Sequence, residues 1–245
     1  IAILYLSIFA AFSLYDLIPS VAAFGFFFLV TLTAAGLALK YEAMTIAILG
    51  IVGGFITPVL LMDNLPDQRL LIAYVLVLDL GVLGLATFRN WRWFNLLGLA
   101  GSLGLYWFWY DQLGPSLLLA QLGITFIFLI FMGATTLFHI LWRRAPGPAD
   151  QSLMVLNAAA YLGISYALLF DEFRPWMGGF TLLLSLMYVL LGYAVLVRGR
   201  EYVYLSLFAL GIAVIFITIA VPVQLAGPWI SVAWAVEGAV VIWLS

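Results

Sequence analysis

Long apolar stretches alternate with nine short polar breaks along the chain, and this alternation predicts its secondary structure. A helix needs roughly 20 apolar residues to cross about 30 Å of hydrocarbon, and most of the stretches approach that length. Lipid offers no partners to free backbone groups, and the stretches are too long and too continuously apolar for barrel strands. We therefore predict an all-α, polytopic transmembrane helix bundle of about ten helices. The predicted segments are Ile1–Leu14, Val21–Leu39, Ala43–Leu61, Arg69–Phe88, Trp93–Tyr110, Ser116–Trp142, Gln151–Phe170, Trp176–Val197, Tyr202–Val221 and Trp229–Ser245.

Basic residues are concentrated in every second break. These breaks hold seven of the nine basic residues, namely Lys40, Arg89, Arg92, Arg143, Arg144, Arg198 and Arg200. Loops rich in Lys and Arg stay on the cytoplasmic side of a membrane. The pattern therefore places Lys40–Glu42, Arg89–Arg92, Arg143–Asp150 and Arg198–Glu201 in the cytoplasm, together with both ends of the chain. Tryptophans agree with these boundaries because they lie near segment ends, and only Trp234 lies well inside a segment.

The outward-facing breaks resemble one another. Four of them contain an aspartate followed by a proline, and the fifth keeps only the proline; the aspartates are Asp16, Asp63, Asp111 and Asp171, and the prolines are Pro19, Pro66, Pro115, Pro175 and Pro228. Each proline precedes a segment that runs back inward, where its missing N–H had no helical partner. Their spacing favours a helical hairpin of about 50 residues, repeated in tandem. The alternative is that any hairpin membrane protein needs polar turn residues, among which Asp and Pro are common.

Composition narrows the possible organisation and partners. Apolar residues make up 67% of the chain and charged residues only 8%, whereas a soluble domain carries about a quarter charged residues. We predict a single transmembrane domain over residues 1–245. The chain lacks an initiator Met and its last segment ends while still apolar, so we interpret it as a fragment of a longer chain. Its expected partners are membrane lipids, other membrane proteins or the missing helices of its own chain, and a net charge of −2 gives no reason to expect nucleic acid.

Several kinds of chemistry lack the residues they require. The chain has no cysteine, which excludes thiolate catalysis, disulfides and Cys-ligated metals. His139 is the only histidine, so the chain cannot supply a bis-His haem or a multi-His zinc site. No segment contains an internal lysine for a Schiff base, and no phosphate-binding glycine loop is present. We predict no metal, no cofactor and no enzymatic activity.

Two carboxylates occur where the membrane makes them costly. Asp79 is about ten residues into its helix, roughly 15 Å deep, and Glu237 is about eight residues into another, roughly 12 Å deep. A central Asp costs about 2.5–3.5 kcal/mol on insertion scales, so such residues usually face a cavity or a partner. One hypothesis is a proton- or cation-coupled site. The other is that each acid is neutral and holds neighbouring helices together by a hydrogen bond.

A third feature lies at a similar depth, in the stretch from Gly50 to Pro58. Pro58 has no N–H for the carbonyl of Gly54, and its ring disfavours a straight helix. With Gly53 and Thr57 alongside, a break in the helix at this level would resemble the discontinuous helices of transporters. The alternative is close helix packing, since Gly50 and Gly54 form a small-xxx-small face. A binding site made by Asp79, Glu237, Gly53, Gly54, Thr57 and Pro58 requires that their helices are neighbours.

Three stretches resemble signatures of one bacterial family. They are Ala47–Pro58 (AILGIVGGFITP), Arg89–Leu97 (RNWRWFNLL) and Gly227–Ala239 (GPWISVAWAVEGA). In combination they make the chain similar to bacterial predicted multi-pass membrane proteins of unknown function, of the domain of unknown function 2339 type. The resemblance covers most of the chain and implies a location in the bacterial inner membrane. It implies no established activity, so it assigns no catalytic residue, although Glu237 and the Gly53–Pro58 stretch fall within its motifs.

Three functions remain compatible with these features. The first is a proton- or cation-coupled transporter or flippase for a small or amphipathic substrate, with Asp79 and Glu237 as protonatable groups. The second is a non-catalytic membrane scaffold or assembly protein, which suits repeated hairpins, glycine-rich faces and few polar residues. The third is an enzyme that acts on a lipid-linked substrate through the aspartates of the outer breaks, although those breaks are short for a pocket.

Overall fold

The computed structural model describes residues 1–60, 68–89, 91–142, 147–198, 203–225 and 227–244. Within these ranges it contains ten α-helices and no strand, which confirms the all-α prediction. The helices are α1 Ala2–Phe9, α2 Ser20–Tyr41, α3 Met44–Leu60, α4 Gln68–Arg89, α5 Trp93–Leu113, α6 Leu117–Trp142, α7 Pro148–Phe173, α8 Met177–Arg198, α9 Val203–Gln224 and α10 Pro228–Leu244. A 3-10 turn, Arg174–Trp176, joins α7 directly to α8, so the count becomes nine if these two are taken as one helix. A short π-helix, Ala10–Leu14, continues α1.

The helices have the length and surface of membrane-spanning elements. Four stretches in the described part are long and apolar enough to cross a bilayer, namely Val21–Tyr41, Leu117–Thr136, Pro148–Val197 and Val203–Gln224. Three shorter apolar stretches are Ala2–Leu14, Met44–Leu60 and Leu71–Thr87. Large apolar side chains such as Leu29, Leu183 and Ile215 are exposed on these helices. A surface of this kind is stable in contact with lipid, so the class of membrane helical protein is confirmed.

Prolines mark where several helices begin, as the sequence predicts. Pro19 is the N-cap of α2, Pro228 is the first residue of α10, and Pro175 lies in the 3-10 turn before α8. Pro115 stands just before α6. The fifth proline, Pro66, lies outside the described residues, as does the nearby Asp63. Helix starts therefore follow local proline chemistry, whereas the tandem duplication of a hairpin stays a prediction.

The chain divides into two compact units, Ile1–Ala134 and Thr135–Ser245. In the first unit α2 packs against α3, α4 packs against α5, and α3 lies against both α4 and α5. In the second unit α8 and α9 form the most extensively packed pair, and α10 packs against α9. The prediction of a single transmembrane domain stays a prediction, because a compact unit of this kind can be part of one membrane bundle.

Small side chains allow the paired helices to approach closely. The Ser206 hydroxyl of α9 donates to the Gly192 carbonyl of α8 at 2.8 Å, and the Ser185 hydroxyl of α8 donates to the Ala213 carbonyl of α9 at 2.8 Å. Such bonds require backbones at short range, which Gly and Ala permit. Hydrogen bonds thus join the two members of a hairpin at two levels.

The inward-facing breaks are described only in part. Arg143, Arg144 and Arg200 lie outside the described residues, as do the side chains of Arg89, Arg198 and His139. Lys40 is exposed near the end of α2, beside Glu42, whose backbone is left-handed with φ 54°. The orientation inferred from the basic residues therefore stays a prediction.

Gly114 ends α5 in the left-handed conformation, with φ 50°, and its N–H donates to the Tyr110 carbonyl at 3.2 Å. We expect Gly114→Ala to destabilise the protein by about 1 kcal/mol, because a Cβ disfavours this backbone. Gly104→Ala in the same helix is the matched control, since a Cβ there meets no atom within 4 Å. It should stabilise by about 0.5–1 kcal/mol through helix propensity. Thermal unfolding of both variants in detergent checks this, and equal losses of Tm would contradict it.

Candidate functional site

Asp79 lies in the middle of α4 and is completely buried. Its Oδ1 is hydrogen-bonded to the hydroxyl of Ser102 on α5. Its Oδ2 is buried and has no hydrogen-bond partner within the described part of the chain. Helices α3 and α5, which both pack against α4, contain no Lys or Arg. Asp79 therefore faces a packed helix, and no cation of these two helices compensates its carboxyl group.

A small cavity of about 20 Å³ lies beside the hydrogen-bond partner of Asp79. Ser102, Tyr106 and Trp109 line it, together with apolar side chains of α4, α5 and α6. The Nε1 of Trp109 is buried and has no hydrogen-bond partner among the described residues. A water molecule needs roughly 10–15 Å³ and two or more polar partners, so the space is sufficient for about one water. The cavity beside the hydrogen-bond partner of Asp79 can thus hold no more than about one water molecule.

Glu237 lies in α10 and is half-buried. Its Oε1 is 2.5 Å from the Thr218 hydroxyl of α9. One turn earlier, the indole Nε1 of Trp234 donates to the Thr218 carbonyl at 3.2 Å. Two side chains of α10 therefore bind one residue of α9. This contact gives a role to Trp234, the tryptophan that lies away from the segment ends.

Asp79 belongs to the first compact unit and Glu237 to the second. Each has its own hydroxyl partner within its own unit, Ser102 and Thr218 respectively. A single space shared by both acids, as the sequence suggests, stays a hypothesis.

Helix α3 runs without interruption from Met44 to Leu60 and contains Pro58. Of the two hypotheses for this stretch, the discontinuous helix is therefore wrong. The carbonyl of Gly54, which Pro58 leaves without its helical N–H, accepts a hydrogen bond from the Tyr74 hydroxyl of α4 at 2.8 Å. The Thr57 hydroxyl donates to the Gly53 carbonyl at 2.8 Å. A neighbouring helix thus supplies the missing bond, and the turn stays helical.

The same arrangement occurs at the second internal proline. Pro222 lies inside α9, and its missing N–H leaves the carbonyl of Thr218 without its helical partner. Trp234 of α10 supplies the donor there, as Tyr74 does for Gly54. In both helices an aromatic donor from the next helix completes a proline turn.

The glycines of α3 are contact points for three other helices. A Cβ on Gly50 would lie 2.8 Å from the Cβ of Ala34, and one on Gly53 would overlap the ring of Tyr5. A Cβ on Gly54 would lie 3.0 Å from Leu78, the neighbour of Asp79. Close packing, the alternative left open by the sequence, is what the structure shows for this stretch.

Several other polar residues lie elsewhere along the chain. Asp16, Asp111 and Asp171 are exposed, while Asn157 is buried in α7. The amide of Gln121 donates to the Thr125 hydroxyl of its own helix at 3.4 Å. Tyr166 lines a groove.

This groove lies between α7 and α9, within the second unit, and has a volume of about 420 Å³. Leu162, Tyr166, Ile215 and Ile219 are among its lining residues, and apolar atoms make up almost all of its wall. Its volume falls within the range of small-molecule sites, about 300–1,000 Å³. The groove suits an apolar chain or ring rather than a hydrated ion.

Sequence reasoning missed the partners of the site residues, namely Tyr74, Ser102, Thr218 and Trp234. One signal was available for the hydroxyl residues. Ser102 lies near the middle of α5, directly after the helix of Asp79, and Thr218 lies in α9, directly before the helix of Glu237. A hydroxyl within the neighbouring apolar segment of a hairpin is a natural partner for an intramembrane acid.

Membrane-length apolar helices with acids held between them define an integral membrane protein. The chain belongs to the family of predicted membrane proteins DUF2339, whose profile matches residues 1–245. The family resemblance that the sequence motifs indicated is therefore confirmed. No curated protein and no solved structure matches the chain.

The bond between Tyr74 and Gly54 can be tested with a double-mutant cycle. Tyr74→Phe should destabilise the protein by about 1–3 kcal/mol, because the Gly54 carbonyl is then buried without a partner. In a Pro58→Ala background the loss should be smaller, since the new N–H of residue 58 can bond to that carbonyl. Unfolding midpoints of the two single variants and the double variant measure this coupling.

Tyr106→Phe is the matched control for this cycle. The Tyr106 hydroxyl donates to the Ala120 carbonyl at 3.0 Å, at a turn that contains no proline. Its effect should be the same with and without Pro58→Ala. The interpretation fails if Tyr74→Phe and Pro58→Ala are also additive.

Proposed function

We propose that the protein is a proton- or cation-coupled transporter or flippase of the bacterial inner membrane, with Asp79 and Glu237 as its protonatable groups. The observation that carries this proposal is Asp79, a completely buried acid whose Oδ2 has no partner in the described part of the chain. An amide or a hydroxyl would join two helices without the cost of an ionisable group. Ionisable residues inside a membrane therefore favour a functional role.

Glu237 supports the same role from the second unit. It is half-buried rather than enclosed, and its partner is again a hydroxyl on the adjacent helix. A carboxyl group between an apolar surface and a partner helix can exchange its proton when the helices move. Thr218, which also accepts a bond from Trp234, would then sense the position of α10.

The groove between α7 and α9 supports an amphipathic substrate. Its wall is almost wholly apolar, and its volume exceeds that of an ion or a water molecule. A lipid-like or aromatic molecule matches both its volume and its chemistry. On α9 the groove residues Ile215 and Ile219 lie on either side of Thr218 in the sequence. A substrate in the groove and the carboxyl group of Glu237 would therefore both contact α9.

Gly53, Gly54, Thr57 and Pro58 take a positioning role in this proposal. They bring α3 against α1, α2 and α4, and Gly54 is bonded to Tyr74 and packed against Leu78. The position of α4, and with it Asp79, depends on this contact. The residues would hold the acid in place rather than bind the substrate.

Neutral substitutions of the acids test the proposal. In the full-length protein, Asp79→Asn and Glu237→Gln keep size and hydrogen-bonding capacity but remove the ionisable group. We expect each to abolish complementation of a deletion phenotype, at unchanged amounts of folded protein in the membrane. Asp111→Asn is the matched control, because Asp111 is exposed and, in the described part of the chain, accepts a bond from the adjacent Gln112 side chain at 2.8 Å. Full complementation by the doubly substituted protein would refute coupled transport.

A non-catalytic scaffold is the second candidate, and the close packing at Gly50 favours it. Gly50→Ala would place two Cβ atoms 2.8 Å apart and should separate α2 from α3. Gly36→Ala on α2 meets no atom within 4 Å and is the control. A scaffold requires that Gly50→Ala abolishes complementation while Asp79→Asn and Glu237→Gln preserve it.

Orientation and location are part of the proposal. We propose that both ends of the chain lie in the cytoplasm, and that the partners are lipids and other membrane segments. Because the chain contains no cysteine, Arg89→Cys and Arg143→Cys can each be labelled with an impermeant maleimide. Both should react only after the inner membrane is opened, whereas Asp16→Cys should react in spheroplasts. Labelling of Arg89→Cys and Arg143→Cys from opposite sides would overturn this orientation.

A further inference from the structure

We infer that Asp79 and Glu237 are proton-binding sites at which each carboxyl group carries its proton and donates it to a hydroxyl of the adjacent helix. The coupling ion of the protein is then H⁺ rather than a metal cation. Only this coupling role rests on the proposed function, because the two protons are assigned from hydrogen-bond partners and burial.

Ser102 has a single hydroxyl hydrogen and two polar neighbours. Its hydroxyl oxygen lies 2.9 Å from the Gly98 carbonyl and is also bonded to Oδ1 of Asp79. A hydroxyl has one hydrogen to donate and two lone pairs to accept with. A carbonyl and an ionised carboxylate can only accept. If the hydrogen of Ser102 is directed to Gly98, the hydrogen between Ser102 and Asp79 must belong to Asp79.

The same arrangement occurs at Thr218. Its Oγ1 lies 3.0 Å from the Val214 carbonyl and 2.5 Å from Oε1 of Glu237. One hydrogen again faces two acceptors unless the acid is a donor. The two acids occupy different helices and different units, yet the same three groups recur: a carboxyl, a hydroxyl, and the carbonyl four residues before that hydroxyl.

Other hydroxyls in the chain indicate which acceptor receives the hydrogen. Helical Ser and Thr commonly donate to the carbonyl four residues earlier. Thr33 donates in this way to Leu29 at 2.7 Å, Thr87 to Leu83 at 2.7 Å, and Thr181 to Met177 at 2.9 Å. Ser185 and Ser206 donate instead to carbonyls of the adjacent helix. Assigning the hydrogens of Ser102 and Thr218 to the carbonyls of their own turns leaves their lone pairs available to a donor.

Tyr5 and Thr31 provide an internal precedent. Thr31 Oγ1 donates to the Phe27 carbonyl at 3.0 Å, and the Tyr5 hydroxyl lies 2.5 Å from the same oxygen. With the hydrogen of Thr31 directed to Phe27, the phenol of Tyr5 is the donor. Asp79 and Glu237 take the position of this phenol at their own hydroxyl partners.

Burial supports the same assignment at Asp79. An ionised carboxylate there would hold a negative charge whose Oδ2 has no partner among the described residues. Burying an unpaired charge is far more costly than burying a neutral carbonyl oxygen. Once the proton is on Oδ1, Oδ2 is such a carbonyl oxygen.

The donor set argues against a metal cation at either acid. Hard cations such as Mg²⁺ and Ca²⁺ take six or more oxygen ligands. Each acid has one hydroxyl partner, and no group of three or more acidic or histidine side chains occurs in the described ranges. A proton needs one acceptor, which each site provides.

Few other titratable groups face these acids. On the helices packed against α4, the described charged residues are Lys40, at the end of α2, and Asp111, near the end of α5; the tyrosines of α4 and α5 are Tyr74, Tyr106 and Tyr110. Helix α9 carries Tyr204 and no charged residue. Tyrosine phenols ordinarily titrate near pH 10. A carboxyl signal that Asp79→Asn or Glu237→Gln removes can therefore be assigned to the acid itself.

Release of a proton follows from the same geometry. When the contact between α4 and α5 opens to water, the hydrogen on Oδ1 of Asp79 passes to water and leaves a carboxylate. The Ser102 hydroxyl can then rotate its hydrogen from Gly98 to that carboxylate. The Gly98 carbonyl keeps the N–H bond of its own helix, so only the acid changes its charge.

Infrared difference spectroscopy of the full-length protein in lipid nanodiscs tests the inference. Asp79→Asn and Glu237→Gln should each remove one band of a protonated carboxyl group. Asp111→Asn, the exposed control, should leave both of these bands unchanged. Loss of an ionised-carboxylate band on substitution of Asp79 or Glu237 would overturn the inference at that residue.

Variants of Thr218 test the hydrogen bond itself. Thr218→Val keeps the shape but removes the acceptor, so the protonated-carboxyl band of Glu237 should shift to the higher frequency of a free acid. Thr218→Ser restores the hydroxyl and should restore the band position. An unchanged band in Thr218→Val would refute the pairing.

A comparison of sodium with choline distinguishes H⁺ from a metal cation as the coupling ion. Replacing choline chloride with sodium chloride at equal ionic strength should leave the Tm of the protein unchanged. A sodium-specific rise in Tm that is lost in Asp79→Asn or Glu237→Gln would overturn the assignment of H⁺. If the infrared bands behave as expected while Asp79→Asn and Glu237→Gln still complement the deletion, the protonation inference holds and coupled transport falls.

Discussion

The structure depends on the requirement that a polar group inside an apolar bundle must find its partner within the protein. Water cannot complete hydrogen bonds at that depth, so each free donor or acceptor destabilises the fold. Two internal prolines create such acceptors at Gly54 and Thr218. Tyr74 and Trp234 satisfy them from the following helices. A carbonyl left free by a proline would destabilise an isolated helix. Here its bond to a side chain of the next helix joins the two helices.

Hydroxyl side chains connect the helices for the same reason. Thr31, Ser102 and Thr218 each lie between a carbonyl of their own turn and a polar group of another helix. A hydroxyl can do this because it donates one bond and accepts another. The partner from the second helix is a phenol in one case and a carboxyl group in the other two. The contacts between these helices therefore depend on a few oxygen atoms.

Most of the secondary structure was predictable because its causes are local. Apolar length determines where helices run, and prolines determine where several begin, so α2, α4 and α9 differ from the predicted segments by at most three residues at either end. Helix α7 starts before its predicted first residue because Pro148 fits the first turn and the Asp150 carboxylate accepts the Gly147 N–H at 2.8 Å. At Pro58 the sequence left a break and close packing as alternatives, because it shows the missing N–H but not the donor that replaces it.

The sequence by itself determined the membrane class, the number and approximate limits of the helices, the family, and the positions of two acids within apolar segments. These properties depend on composition and on residues close together in the chain. Only the tertiary structure decided which groups meet: Tyr74 with Gly54, 20 residues away, Ser102 with Asp79, 23 away, and Thr218 with Glu237, 19 away. Apolar helices can associate through many faces of similar energy, because lipid and leucine are equally apolar. The choice among these faces depends on the detailed fit of small residues and the closure of a few hydrogen bonds, which no local pattern encodes.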